Sequence, residues 1–299
     1  VKTRWADLPA HVRTAVVNRV GQLTGAKDIV QGAASDLSTV LFTAEGPDVF
    51  LKGVRGVSVR MRWLRNEITA GAIAAGIAPA VRFHADIDDW LLVGFEHLKG
   101  RTASLAPHSP DLGTVAEVLG TLSAITTSEL RPLRDRWTLT DAWITLAGTN
   151  PEVVAGWDVA KLTHHATLIT ELIDGSCLLH TDMHGEQFLI DESGAAHVID
   201  WAFPARGAAW VDGAFLTLRL IEAGHSPQEA ERWVLQLPGF AEVDAEPRLT
   251  AFSAFIAGLW TTWAVSSNPP AGAAHRARLA LDYAAYRFRT NENGGSLEW

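Results

Sequence analysis

One stretch of this 299-residue chain is more constrained than any other: Leu178-Leu179-His180-Thr181-Asp182-Met183-His184-Gly185-Glu186-Gln187-Phe188-Leu189-Ile190, followed by Val198-Ile199-Asp200-Trp201. Asp182 and the side-chain amide of Gln187 stand five positions apart in a polar, glycine-containing segment between apolar runs, which reads as a loop. Asp200 follows thirteen positions later, at the end of a short apolar strand carrying Ala196, Val198 and Ile199. A carboxylate placed there faces a cleft rather than a core, because burying an unpaired charge costs too much.

The chain is long enough for two lobes sharing a cleft, each with a sizeable core. Hydrophobic residues make up 47% and charged residues 20%, the balance of a soluble globular protein. The single cysteine, Cys177, excludes an intramolecular disulfide and favours a reducing compartment, the cytoplasm. Beside Leu178 and Leu179 it reads as a small core residue rather than a nucleophile. The first residues are charged and polar, unlike a secretory signal. The long uncharged stretch from Leu249 is interrupted by Ser, Thr, Asn and Pro, so a buried helix over Thr250–Ser266 is expected and no membrane span. A net charge of −9 argues against nucleic-acid partners and is compatible with a cationic small molecule.

Apolar spacing predicts a helix over Ala6–Leu23, then short strand-like runs from Ile29. Leu37–Thr43 and Asp48–Val54 flank Ala44-Glu45-Gly46-Pro47, a hairpin turn. A helix over Val59–Ala75 is stopped by Gly76 and Pro79. Strands Ala80–Ala85 and Trp90–Phe95 follow, separated by Asp86-Ile87-Asp88-Asp89. Beyond the crossover Glu96-His97-Leu98-Lys99-Gly100 the patterns are mainly helical, with acceptor-building helices over Thr140–Ile173 and Ala209–Ala285. Strands, one helix, strands, then helices imply an α+β chain with segregated layers. The tail Thr290–Trp299 reads as frayed. Most of the twelve tryptophans should be core.

The loop and strand together resemble the pattern His-x-Asp-x-x-x-x-Asn plus a later metal-binding Asp, in the version used by aminoglycoside phosphotransferases and related choline-kinase-like small-molecule kinases. The resemblance runs from Gly32 to Ala214 and departs from the pattern at Gln187, where asparagine is usual. It implies a two-lobed protein-kinase-like fold: a small antiparallel-sheet lobe over residues 1–98 that binds the nucleotide, and a mainly helical lobe over 99–299 with the catalytic loop and acceptor site. It also implies transfer of the γ-phosphate of ATP or GTP, with Mg2+, to a hydroxyl of a small molecule. Asp182 would orient the acceptor hydroxyl and take its proton. Asp200 would hold magnesium, with Gln187 either a second ligand or a loop brace. Lys52, a lone cation on the apolar run Val49–Val54, would meet phosphates and pair with Glu67; alone, it would read as an exposed strand lysine.

Gly32 and Ser35, in the glycine-poor loop Gln31–Ser38, would cover the phosphates. Glu96-His97-Leu98 would form the hinge meeting the base through its backbone. His180 holds the loop in this reading, Trp201 is structural, and Asp212 either braces the loop or caps a helix. Two other readings stand beside it. Gln187 and the thin glycine loop suit a non-catalytic nucleotide- or ligand-binding protein. His180-x-Asp182-x-His184 could serve a metal-dependent hydrolase, although no second cluster completes such a site.

Overall fold

The computed structural model describes residues 2–30, 32, 34–241 and 243–292, with side chains as far as Arg289. Gln31, Ala33 and the part of the expected frayed tail from residue 293 onward lie outside the described residues. Along the chain run α1 (Ala10–Val20), β1 (Leu23–Asp28), β2 (Leu37–Thr43), β3 (Val49–Arg55), α2 (Val59–Ile73), β4 (Val81–Ile87), β5 (Trp90–Glu96) and β6 (Gly100–Thr102). Then come α3 (Asp111–Ser123), α4 (Ala142–Thr149), α5 (Val159–Leu172), β7 (Cys177–Leu179), β8 (Phe188–Asp191), β9 (Ala196–Val198) and β10 (Ala205–Gly207). The last elements are α6 (Trp210–Glu222), α7 (Pro227–Val234), α8 (Ala245–Ala264) and α9 (Ala273–Glu292).

The chain gathers into two compact units, Val1–Ser104, Asp111–Val118 and Gly185–Pro204 in the first, Leu105–Pro110, Leu119–His184 and Ala205–Trp299 in the second. This differs from the single division after Leu98 expected from sequence. Gly185–Pro204 packs with the first unit because β8 pairs antiparallel with both β6 and β9.

In the first unit β1 to β5 form an antiparallel sheet in the order β1-β2-β3-β5-β4. Strand parity sorts its side chains to two faces. Leu37 and Leu41 of β2, Val49 and Leu51 of β3 and Trp90 and Leu92 of β5 bury against Leu8 and against Val12 and Val16 of α1. On the other face Val54, Leu91, Val93 and Phe95 pack with Leu64 of α2. Lys52 has the parity of Val54 and therefore shares the α2 face.

The β2–β3 hairpin turns where expected, with Gly46 at φ 93° and Asp48 accepting the Thr43 N–H at 3.2 Å. α1 is shorter than its pattern, ending at Val20 before Gly21 at φ 90°. Leu23–Asp28 is instead the edge strand β1, whose mostly exposed residues leave no alternation to read. β4 continues two residues past Ala85, so the turn before β5 is only Asp88-Asp89.

In the second unit α8 is buried along most of Leu249–Thr261, the expected uncharged helix begun a turn earlier. Trp137 stacks on Phe255 at 4.8 Å, and the Trp143 indole N–H reaches the Ala254 carbonyl at 2.8 Å. Trp137, Trp143, Trp210 and Trp260 of this unit are core, as are Trp90 and Trp201 of the first, whereas Trp263 is 40% exposed. Cys177 is half-buried and burial raises its thiol pKa, which leaves it unactivated. Among the described residues no helix is long and apolar enough to cross a membrane.

A buried polar clamp ties α7, α8 and α9 together. Arg287 donates to Glu231 at 3.0 and 3.1 Å and to Thr250 Oγ1 at 2.7 Å, and Tyr283 donates its hydroxyl to Glu231 at 2.7 Å. The Arg287 and Glu231 side chains are 4% and 3% exposed, so removing one strands the other's charge in the core. Arg287→Ala is expected to cost roughly 3–5 kcal/mol in denaturant unfolding, and Arg287→Met with Glu231→Met to recover much of that loss.

Candidate active site

Lys52 is the centre of the first unit's charge arrangement. Its ammonium lies 2.8 Å from Glu67 Oε2 on α2 and also bonds Asp200 Oδ1, with Lys52 itself only 13% exposed. α2 starts at Ser58, whose hydroxyl accepts the Met61 N–H, and this sets the helix phase that turns Glu67 inward. The Asp200 segment is held to the same helix by Asn66 Nδ2, which donates to the Ala202 carbonyl at 2.9 Å, and by the edge contact of Trp63 with Phe203 at 5.1 Å. Phe50 and Phe95 present their rings to the ammonium at 6.0 and 5.7 Å.

Burial opposes the charge on Lys52, but Glu67 and Asp200 together outweigh it and hold its pKa above that of an ordinary lysine. Burial, helped by Asp200, pushes the Glu67 carboxyl upward against the pull of Lys52. Two carboxylates thus share one ammonium, and with all three ionised the trio carries a net negative charge.

The trio lines a cavity of about 270 Å³ whose lining residues all belong to the first unit. Its walls are Ile29, Val40, Ala78, Leu189 and Ile199, and Glu96, His97 and Leu98 form its rim. The lining is mostly apolar and includes the Lys52 ammonium with its two carboxylate partners, the mix of an apolar enclosure and a few placed polar groups that small-molecule sites have. Trp201 also borders it, but donates its indole N–H to the Val198 carbonyl at 2.8 Å, a structural role.

Gln187 and Asp200 meet at the open end of the β8–β9 hairpin, where Ile199 N donates to the Gln187 carbonyl at 2.9 Å. Gln187 is 6% exposed, and among the described residues its side-chain amide makes no hydrogen bond to protein. Asp200 sits at φ 61°, a left-handed conformation uncommon outside glycine, with its side chain 49% exposed. A carboxylate and an amide oxygen, one on each side of this hairpin's open end, are hard oxygen donors of the kind magnesium takes, filling the rest of its shell with water and phosphate.

In the second unit Asp182 follows Thr181, a β-branched residue at φ 64°. Such backbone is strained and must be held from outside. Buried Asp212 holds it, accepting the N–H groups of His180 and Thr181 at 2.8 Å each. Arg136 adds a bond from its guanidinium to Thr181 Oγ1 at 2.5 Å. Burial raises the Asp212 pKa, while His180, its two N–H donors and Arg136 oppose that shift.

Lys52, Glu67, Glu96, Leu98 and Asp200 therefore surround one cavity. Gly32, Ser35 and Gln187 do not line it. Ser35, expected over the phosphates, is buried, and its hydroxyl is engaged by that of Ser38, three residues on, at 2.8 Å. His180, Asp182 and His184 do not form a metal cluster: among the described residues no three or more His, Cys, Asp or Glu side chains gather to hold an ion, so the hydrolase reading has no geometric support.

The profile of the APH phosphotransferase enzyme family matches residues 31–246. The chain belongs to the phosphotransferase enzyme family. With it comes the reaction class, phosphoryl transfer to an alcohol group. Among solved structures, a thermostable mutant of aminoglycoside phosphotransferase APH(4)-Ia in ternary complex with AMP-PNP and hygromycin B is similar at TM-score 0.64 and 17% identity, covering 94% of this chain and 99% of that one. Choline kinase LicA from Streptococcus pneumoniae is similar at TM-score 0.61 and 14% identity, covering 93% and 100%. Spectinomycin phosphotransferase APH(9)-Ia, in complex with ADP and spectinomycin, reaches TM-score 0.56 at 13% identity, covering 94% and 98%. These likenesses show the protein-kinase-like fold. No curated protein gives a significant sequence match.

Sequence reasoning missed Arg136 of this phosphotransferase, because nothing in Arg134-Asp135-Arg136-Trp137 marks the arginine that reaches Thr181 across 45 positions. It also missed the apolar walls of the cavity, which only strand parity could have sorted.

Asp212→Asn tests the bracing of the loop. An amide cannot accept from two N–H groups as the carboxylate does, and one buried donor would face the new NH2. A loss of about 1–3 kcal/mol in unfolding free energy is expected, with reduced turnover. Unchanged stability and turnover would show that Asp212 holds nothing.

Proposed function

We propose that this phosphotransferase moves the γ-phosphate of ATP or GTP onto a hydroxyl of a small molecule of the aminoglycoside or amino-alcohol kind, in the cytoplasm. The observation that carries this reading is the protonated Lys52, held between Glu67 and Asp200 in the lining of a mostly apolar cavity. The base lies in the cavity, its edge on the backbone of Glu96–Leu98, and Lys52 neutralises the phosphate chain. Glu67 positions Lys52. Asp200 and Gln187 would hold magnesium, which when bound offsets charge on the phosphates.

Asp182 orients the acceptor hydroxyl and takes its proton as the oxygen attacks the γ-phosphorus. The new O–P bond forms as the bond to the bridging oxygen of the nucleotide breaks, and the nucleoside diphosphate leaves with those electrons. The solved relatives with hygromycin B and spectinomycin, and the choline kinase, support a hydroxylated, amine-bearing acceptor. A second reading, nucleotide binding without turnover, rests on Gln187 standing where the pattern has asparagine.

A nucleotide-consumption screen over aminoglycosides, amino alcohols and nucleosides identifies the acceptor. With it, Asp182→Asn is expected to lower turnover about 10²–10⁴-fold and leave Mg-nucleotide affinity unchanged. Full turnover by the folded variant would remove Asp182 from the chemistry.

Gln187→Ala is expected to raise the magnesium concentration for half-maximal rate, and Gln187→Asn to retain activity with a changed magnesium-to-manganese preference. A metal dependence identical in all three proteins would exclude Gln187 as a ligand. Nucleotide binding with no consumption for any acceptor would favour the second reading.

A further inference from the structure

The loop expected to wrap the phosphates is poorly built for that task. It has one glycine, Gly32, and the Ser35 hydroxyl is spent on Ser38. Phosphate loops turn several backbone N–H groups toward one anion, which glycine most readily allows, and this segment supplies a single glycine. Some other donor has to do part of that work.

Lys2 is placed to do so. Its ammonium donates to Ser38 Oγ at 2.9 Å, and Ser38 is the residue paired directly with Lys52 across β2 and β3. Directly opposed residues of an antiparallel pair project from the same face a few ångströms apart. Ser38 therefore presents its hydroxyl, with Lys2 on it, beside the Lys52 side chain. The other side of the loop reports the same location: a Cβ built on Gly32, at φ 80°, would find Lys2 Nζ as its neighbour, at 3.8 Å.

The backbone fixes this approach. Thr3 N donates to the Asp36 carbonyl at 2.7 Å, Asp36 N donates to the Gly53 carbonyl at 2.9 Å, and the Asp36 carboxylate pairs with Arg60 at 2.6 Å. Lys2 also feels the trio electrostatically: burial lowers its pKa, Lys52 lowers it further and Asp200 raises it. Glu67 and Asp200 leave the trio net negative, so a second ammonium is tolerated beside Lys52, and an anionic chain reaching Lys52 would meet both cations.

We propose that Lys2 is a second phosphate-binding cation of the nucleotide site, acting with Lys52 in place of the glycine-rich backbone that the loop lacks. The inference rests on the nucleotide reading of the Lys52 cavity given above. A lysine suits the task as a compact, rotatable point charge that follows a terminal phosphate without demanding a planar partner.

Calorimetry on the full chain tests it, using Mg-ATP or Mg-GTP, whichever binds tighter, the matching Mg-diphosphate and the bare nucleoside. Lys2→Gln keeps a donor for Ser38 and removes the charge. It is expected to weaken triphosphate binding about 10- to 100-fold, the diphosphate less and the nucleoside not at all, with Lys2→Arg restoring most of the loss. Equal triphosphate affinity in Lys2→Gln and the unaltered protein would overturn the assignment. So would an equal loss for triphosphate and nucleoside, which means that Lys2 only props the loop. If the unaltered protein binds no nucleotide, the underlying reading fails first and this assignment with it.

Discussion

A buried ammonium shared by two carboxylates is the interaction on which the first unit's architecture turns. Taking Lys52 out of water costs several kcal/mol unless its partners are held in place. Each partner comes from a different part of the chain. β3 parity sends the lysine to the α2 face, the phase of α2 turns Glu67 to meet it, and the β8–β9 hairpin delivers Asp200 from 148 positions away. The pairing of β8 with β6 therefore has a functional consequence: it assigns Gly185–Pro204 to the unit that contains Lys52. A buried ion trio is weak support for stability, since apolar side chains of similar volume often serve as well, and under the proposed function its charges serve the nucleotide instead.

The second unit uses a related device for a different end. Thr181 is held in a conformation a β-branched residue avoids, and the cost is offset by two N–H bonds to a buried carboxylate and one bond from Arg136. Of the four non-glycine residues at positive φ among the described residues, Thr181 and Asp200 lie at or next to the carboxylates assigned to chemistry, whereas Asp88 and His108 do not. In the proposed reaction one of these carboxylates handles a proton and the other a cation, and both tasks need orientation more than strength.

The legible part of the protein was the part in which chemistry dictates side-chain identity. Asp182, Gln187 and Asp200 stood out through their joint spacing, which resembles a known pattern, and Lys52 only once Glu67 on the next helix was set beside it, since each residue alone has a blander reading. The antiparallel hairpins and most helices followed from period and turn residues. β1 did not, since a mostly exposed edge strand lacks alternation, and neither did the end of α1 at Gly21. Ser35 was placed on the phosphates, although its hydroxyl turns to Ser38. Arg136 and Lys2 act through contacts 45 and 36 positions away, and no local pattern encodes such distances. The discontinuous units were hidden for the same reason, because strand pairing between β6 and β8 is a tertiary choice.

Affinity for Mg-nucleotide in Lys52→Met, compared with the unaltered protein and with melting temperatures measured alongside, tests the central claim most directly. Methionine keeps the apolar stem of the lysine and removes the ammonium, while the upward-shifted Glu67 can take a proton in its place. Folded Lys52→Met should lose at least about tenfold in triphosphate affinity, the scale of one charge-assisted hydrogen bond, and keep its affinity for the bare nucleoside. Triphosphate binding as tight as in the unaltered protein would contradict the assignment of this cavity to the nucleotide.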